Sequence, residues 1–532
     1  MSVPNRQPLT LETGPWKGML YTHNPTSPDR VLVAVNGWVD DGGSYRGRPG
    51  RYRITGTQLG SGGAGQLVYQ FTKIDGTQYT VGIVGGKFYT LNWATGVWTE
   101  VVTGANFATA TISLSSSARC YAVTLNDKMV VSDGVNLPWT WDGTSGAGGL
   151  TKLSNCPVLY GQPTVYYAKL FGIKNTERST VVWSEENDPT TGYEAGGFNN
   201  AWTLSQTGSD PLYAIRATNE ALFYWRQRSI GAIRGAVDDN FTNSGVLDAV
   251  STLVGTRSPA GVCIYNNTAY FPDEYGRPCA FAIGGEVVEL WRQVSLMFDQ
   301  DTQSQNYLGL LLSMDLSAAS IALMDTIPLR ALGGMMFRTV SVNGDAGTSG
   351  CFYFGSNNVA QGVWVGGNGG LASAGGEVIN SVTNLPEVMD ITTVGYTFST
   401  GKAAQWVDQN TSGVNIGADL SVILPRMAAN PAVEIHFDRA YLIVGADSDS
   451  ITWTMGCNTS RDQGSAATLA QNVSTSGAFI EKRIAYGLNR QGRWGQMRVT
   501  ASYGSPSASG ESLSLYGAAL VGFPVSLTSG VP

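Results

Sequence analysis

Short runs of alternating apolar and polar residues recur along most of the chain, divided by glycine-bearing turns. "QLVYQFTKIDGTQYTVGIVGGKFYTLNWATGVWTEV" (66–101) reads as strands broken at Asp75-Gly76, Gly85-Gly86 and Thr95-Gly96. "YAVTLNDKMVVSDGVNLPWTWDGTSGAGGLTKL" (121–153) repeats the cadence, with turns at Asn126-Asp127, Asp133-Gly134 and Asp142-Gly143. A period of two with turn residues between runs is the signature of antiparallel hairpins, and the helical period is almost absent. The strand anchors Tyr89, Trp139, Trp183, Trp225 and Phe271 lie 50, 44, 42 and 46 residues apart. That spacing, with about four strands per unit, predicts an all-β chain with a β-propeller-like domain of about five to seven blades over 55–380. "SIALMDTI", near 320, fits either a helix or a strand.

After "GGNGGLASAGGEV" (367–378) the rhythm changes. Longer strands without the blade period, among them "DITTVGYTFST", "VEIHFDRAYLIVGAD", "WGQMRVTASYG" and "ESLSLYGAALVGF", predict a C-terminal antiparallel β-sandwich of jelly-roll type over 385–532. The first 54 residues read as an N-terminal arm and hairpin, with Asp40, Asp41, Gly42 and Gly43 as its turn. Charge sharpens this segment. Residues 1–54 carry a net +3, which leaves −10 for the remainder of a chain whose total is −7. Arg46, Arg48, Arg51 and Arg53 form a basic stripe just after the turn, a candidate docking stripe for an acidic surface.

Composition adds bounds. Charged residues are only 14% of the chain, and Gly, at 67 residues, is about twice its usual share. Net negative charge argues against non-specific DNA binding as a main role but suits a surface that DNA slides past. Six scattered cysteines, with no CxxC, indicate neither a zinc site nor a disulfide framework. No apolar leader and no run of 18 apolar residues is present, so neither a signal peptide nor a membrane span is expected.

Catalytic signatures are weak. The two histidines, His23 and His436, lack triad partners in any recognisable motif. The adjacent acids Asp40-Asp41, Glu185-Glu186, Asp238-Asp239 and Asp273-Glu274 point to opposite faces if they lie on strands. They are poor candidates for the paired carboxylates of a propeller glycosidase. "GSGGAG" matches GxGxxG at Gly60, Gly62 and Gly65 but precedes a strand, not a helix. Trp494 and Tyr503 are candidate glycan-facing aromatics; the plainer alternative makes Trp494 a core anchor on a strand alternating through Gln496, Arg498 and Thr500. No catalytic residue, cofactor or metal is expected.

The order of features carries a resemblance. "GPWKG", then "NGWVDDGGSYRGRPG", later "NEALFYWRQRSIGAIRGAV" and "VGTRSPAGVCIYNNTAYFPDEYGRPCAFAIGGEVVEL", and finally "GRWGQMRVTASYG…ESLSLYGAALVGF" follow one another. This order resembles the propeller-bearing virion structural proteins of tailed bacteriophages, most of all the tail nozzle (tail tube) proteins of short-tailed phages. The insert at 295–345 and the serine-rich C-terminal end have no match in that pattern. The resemblance implies a non-enzymatic subunit of a homo-oligomeric, six-fold ring below the portal and adaptor. Such a ring lines the DNA exit channel, with tail fibre or spike proteins as further partners, in virions assembled in the host cytoplasm. The alternatives are a tail-tip or fibre-base protein that binds host glycans through the sandwich, and a capsid decoration or connector protein.

Overall fold

The computed structural model describes residues 8–20, 29–47, 50–53, 65–92, 94–95, 97–101, 114–144, 149–195, 199–204, 210–237, 246–298, 316–329, 333–339, 350–365, 379–384, 394–398, 403–407, 420–428, 433–446, 451–459, 467–473, 480–503 and 513–525. It is all-β apart from short helical pieces, Leu290–Met297 and Ala318–Ala322 among them. None of the described helices is long and apolar enough to cross a membrane.

Among the described residues, seven antiparallel meanders follow one another, each of four strands except the third, whose sheet has five. We refer to them as blades. Their first strands are Gly65–Thr72, Tyr121–Leu125, Leu159–Tyr166, Leu212–Ala217, Cys263–Tyr265, Asp325–Leu329 and Ile379–Asn384. Neighbouring blades share apolar clusters: Phe71 and Val81 with Met129 and Trp141, Leu125 and Val130 with Leu159 and Leu170, Trp183 with Leu222, and Trp225 with Phe271 and Phe281. The first strand of blade 6 touches those of blades 5 and 7, and that of blade 7 touches that of blade 1. The succession therefore closes on itself in a propeller-like ring. Such closure covers sheet faces that no single meander buries alone.

Turn chemistry explains the local geometry. Gly76, Gly86, Gly134, Gly143 and Gly276 all adopt positive φ at strand reversals. Aspartates tie several reversals: Asp75 accepts from the Thr77 amide at 2.8 Å, Asp142 from Thr144 at 2.8 Å, and Asp273 from Tyr275 at 2.8 Å. These are Asx-type turns, in which a short carboxylate replaces a backbone acceptor.

Three features differ from the sequence reading. The described residues of the 8–53 stretch do not stand apart as an arm. Leu9–Thr13 pairs with Leu513–Pro524, Val33–Val35 runs parallel to Ala360–Val365 in blade 6, the hairpin of Gly37–Val39 and Tyr45–Gly47 joins Leu513–Pro524, and Gly50–Arg53 forms the fourth strand of blade 7. Second, Val394–Phe398, within the stretch assigned to the sandwich, belongs to blade 7, because it pairs with Ile379–Asn384 and Ala403–Val407. The ring thus runs to residue 407, and the sandwich strands resume at Leu420–Ile423. Third, the stretch around 320 is helix and strand in turn, Ala318–Ala322 followed by Asp325–Leu329.

The sandwich shares a sheet with the ring. Blade 6 continues through Val33–Val35 into Leu420–Ile423, Gly495–Tyr503, Ile451–Thr459 and Ala467–Val473, giving nine strands. Facing it is the sheet of the N-terminal hairpin, Leu513–Pro524, Ile435–Ala446 and Ile480–Gly492. One apolar core joins both, from Trp16 and Tyr45 through Phe337 and Val363 to Phe437, Trp453 and Leu520. A bulge between Phe437 and Arg439 resets the alternation of Ile435–Ala446. Ile435 and Phe437 before it, and Ala440, Leu442 and Val444 after it, consequently all face the core.

Candidate docking site

The hairpin that carries the resemblance is built around Asp40. Its carboxylate accepts from the Ser44 amide at 2.9 Å, the Ser44 hydroxyl at 2.6 Å and Arg46 Nε at 2.7 Å. The Gly43 amide donates to the Asp40 carbonyl at 2.9 Å, closing the turn. Burial works against the charge of Asp40, but the Ser44 and Arg46 hydrogen bonds outweigh it and hold the carboxyl below its ordinary range. Gly43 sits at φ +79°, and a Cβ there would come within 2.5 Å of Pro15 Cβ. Glycine is required twice over, by the left-handed backbone and by the close approach of the "GPW" segment.

The hairpin's inner face is locked to blade 6. Tyr45, fully buried, donates its hydroxyl to the Gln361 carbonyl at 3.1 Å and packs its ring 5.8 Å from Trp16. The Val39 amide donates to Gln361 Oε1 at 3.1 Å, and Trp364 Nε1 donates to the Gly37 carbonyl at 3.1 Å. A Cβ on Gly362 would lie 2.2 Å from that same carbonyl. "NGWVDDGG" is therefore an internal joint as well as a surface turn.

The basic stripe falls on two sheets. Arg46 is exposed on the hairpin and is paired with Asp40. Arg51 and Arg53 lie in the edge strand of blade 7, in register with Trp406 and Ala404. Arg48 lies outside the described residues.

The other sequence candidates are placed as follows. Trp494 is half-buried between Ile480–Gly492 and Gly495–Tyr503, with the Arg426 guanidinium 4.5 Å from its ring centre. One face of the indole is thus already covered by a cation. The core positions of the following strand are Met497, Val499 and Ala501, the set opposite to Arg498 and Thr500. Gln496 is buried as well, and its Nε2 donates to the Leu424 carbonyl at 3.2 Å. Tyr503 ends that strand opposite Ile451. His436 lies on Ile435–Ala446, while His23 falls outside the described residues, as do Asp238, Asp239, Gly60 and Gly62. Glu185 accepts from Asn200 at 2.8 Å; Glu274 accepts from Gln227 at 2.9 Å and Arg228 at 3.0 Å. Asp273 binds Arg277 Nε at 2.7 Å. Each of these acids is held by its own neighbours instead of facing a second carboxylate. Among the described residues no group of three or more His, Cys, Asp or Glu side chains is placed to hold a metal. Burial pushes the thiols of Cys120 and Cys279 up and that of Cys156 to about 12, which suppresses thiolate chemistry at all three.

One network escaped the sequence reading. Arg119, at the entry to blade 2, donates to the carboxylate of Asp325, the first residue of blade 6, and to the Leu323 carbonyl at 2.9 Å. Blades 2 and 6 are not neighbours, so this pair spans the axis of the ring. Arg338 Nε holds the other Asp325 oxygen at 2.8 Å. Burial opposes the charge of Arg119, yet Asp325 more than compensates and keeps its pKa above the ordinary value. Arg216 joins blades 3, 4 and 5 through Gln162 Oε1 at 2.8 Å, the Ile215 carbonyl at 2.7 Å and the Val262 carbonyl at 2.8 Å. Burial lowers its pKa to about 10. Sequence spacing holds no sign of the contacts from Arg119 to Asp325 and from Arg216 to Gln162 and Val262, because these join residues that only the ring brings together.

No family model and no curated protein matches the chain. Among solved structures, it is similar to the extracellular domain of the putative one component system BT4673 from B. thetaiotaomicron, with 8% identity and a TM-score of 0.42 over 69% of this chain. It spans 40% of that structure's chain. A second similar structure is Kluyveromyces lactis Hsv2p, with 10% identity and a TM-score of 0.31 over 63% of this chain and 96% of that one.

Proposed function

We propose that this chain is a structural subunit of a tailed-phage virion, of the tail nozzle kind, which assembles with further copies into a ring below the portal and adaptor and lines the DNA exit channel. The observation that carries the reading is the double use of the N-terminal segment. The stretch that bears the resemblance contributes strands to the sandwich, to blade 6 and to blade 7, so both parts act as one rigid block. A block that transmits load within a tail needs such cross-bracing more than it needs an open cleft. The charge distribution supports the same reading: an acidic surface with few charged residues lets DNA pass, and cores of subunit interfaces are depleted in charge. Exposed Arg46 marks one edge of the face offered to the adaptor.

The test is assembly without the chain. Particles made in its absence are expected to have filled heads and portals but no lower tail segment, and to eject no DNA into cells. Complete tails on such particles would defeat the proposal.

A further inference from the structure

The blades turn large apolar side chains outward on two faces of the ring. Because the strands of each blade run antiparallel, the turns after its first and third strands lie on one face, here called the near face. The turn after its second strand and the links between blades lie on the opposite, far face. On the near face of blades 1 to 3, the Ile74 amide donates to Asp127 at 2.6 Å, Asn126 Nδ2 to the Asn187 carbonyl at 3.0 Å, and the Asn187 amide to the Ala168 carbonyl at 2.7 Å. One hydrogen-bonded band thus joins Ile74, 79% exposed, to the exposed Tyr167. On the far face of blades 4 to 6, the Thr256 amide donates to the Arg226 carbonyl at 2.8 Å, and Gln227 and Arg228 donate to Glu274 at 2.9 and 3.0 Å. A Cβ on Gly276, in the same turn as Glu274, would lie 3.1 Å from Ile321. This second band carries Leu253, 84% exposed, with Tyr275 and Leu323, which are exposed as well.

Turns are ordinarily polar, and the near band departs from that at a cost. The first turns of blades 2, 3 and 5 each place two residues in the left-handed region. Blades 2 and 5 fill it with Asn126-Asp127 and Asn266-Asn267, residue types that tolerate it, whereas blade 3 has Tyr167 at φ +45° and Ala168 at φ +56°. That strained turn presents a tyrosine ring to solvent, with its partner Tyr166 meeting it edge to face.

Charge distinguishes the two bands. In the turns of the near band the exposed charged side chains are Asp75 and Glu186, while Lys73, Lys128 and Lys169 are half-buried. In the far band the ion pairs point their cations outward. Arg228 is 61% exposed above a Glu274 that is 11% exposed. Arg292, over the Trp291 ring, is exposed and binds a half-buried Glu289. Exposed tyrosine and arginine are residue types of interface hot spots, and apolar side chains joined in one exposed band mark a contact surface.

We propose that the far band of one copy seats on the near band of a second copy, so that the chain associates head to tail through two different surfaces. The outward arginines then face the outward acids, and the apolar side chains of both bands leave water together. A contact between unlike surfaces repeats from copy to copy and closes a ring where the rotation permits. The contact rests on the self-assembling part of the proposed function, not on the tail that the ring would build.

The experiment is sedimentation velocity of the purified full chain over a range of concentration and salt. The parent should self-associate, and more weakly as salt rises. Tyr167→Asn in the near band and Leu253→Glu in the far band should each weaken association about tenfold or more. Neither should lower the Tm, because Asn suits a left-handed turn and Leu253 lies almost wholly in solvent. Mixed at a concentration where each alone is monomeric, the two variants should form a dimer and nothing larger, since each keeps the band the other lacks. A parent that stays monomeric at every soluble concentration, association that neither change weakens, or a mixture that stays monomeric overturns the proposal. A lowered Tm with unchanged association does the same, because the bands would then be packing surfaces of the single chain. Self-association through these bands by a chain absent from tails would uphold the contact and defeat the virion reading.

Discussion

The hydroxyl of Tyr45 donates to the backbone carbonyl of Gln361 at 3.1 Å, joining residues 316 positions apart in the chain. Through this bond the N-terminal hairpin and blade 6 become one structure. Tyr45→Phe keeps the ring beside Trp16 and removes only the hydroxyl, so a loss of about 1 kcal/mol is expected. Tyr45→Ala also opens a cavity, and ~3–5 kcal/mol should be lost. Chemical denaturation of both variants checks the ranking; equal losses would mean that the joint is not packed as described.

Gly43 and Gly42 are neighbours with different duties. Gly43→Ala places a side chain at φ +79° and against Pro15, and should cost at least ~1–2 kcal/mol from the backbone alone. Gly42, whose added Cβ would meet only its own hairpin's Asp40 at 3.3 Å, should accept Ala with a much smaller change. Thermal melts of the two variants provide the comparison.

The Asp40 carboxyl has a lowered pKa in the folded chain. Its hydrogen bonds therefore stabilise the fold fully above the unfolded value of about 4, and that contribution disappears as pH falls through the lower folded value. The parent should lose stability over that acidic window more steeply than Asp40→Asn, which has no carboxyl to protonate there. Parallel slopes for both chains in acid would show that Asp40 is not the linked group.

Across the axis, Arg119 and Asp325 form a nearly buried pair, with side chains 11% and 5% exposed. Asp325→Asn leaves two arginines, Arg119 and Arg338, without their shared counter-charge, and a loss of ~3–5 kcal/mol is expected. Arg119→Met leaves Asp325 still paired with Arg338 and should cost less. The double variant should lose less than the two single losses together, since the second change removes a charge the first has orphaned. Urea denaturation of the three chains supplies the cycle.

The sequence displayed what is local and hid what is distant. Alternation and Asp-Gly turns revealed the strands of blades 1 to 5, because a hairpin's partner lies a few residues away and its turn residues are diagnostic. The anchor period was serviceable but not strict. Tyr89, Trp139 and Trp183 lie in third strands of their blades, whereas Trp225 and Phe271 lie in second strands. Gly50–Arg53 closing blade 7 was not legible, since its partner Ala403–Val407 is over 350 residues away. Val394–Phe398 was missed for a different reason: its partners Ile379–Asn384 and Ala403–Val407 are close in the chain, but its pattern fits a sandwich as well as a blade. Asp40 to Gly43 was read as a turn and is one, but the burial of Tyr45 beneath it depended on blade 6, which no local pattern announces. Arg46, seen as part of a stripe, is partly occupied by the aspartate of its own turn.

The central claim is that the chain is a ring-forming part of a tail. The direct measurement is gold labelling of an epitope-tagged chain in purified particles, viewed by negative-stain electron microscopy. The account predicts label confined to the tail below the portal, in a ring of several copies around the channel through which DNA leaves. Label spread over the capsid surface, label only at the tips of fibres, or particles that contain no copy of the chain would contradict it.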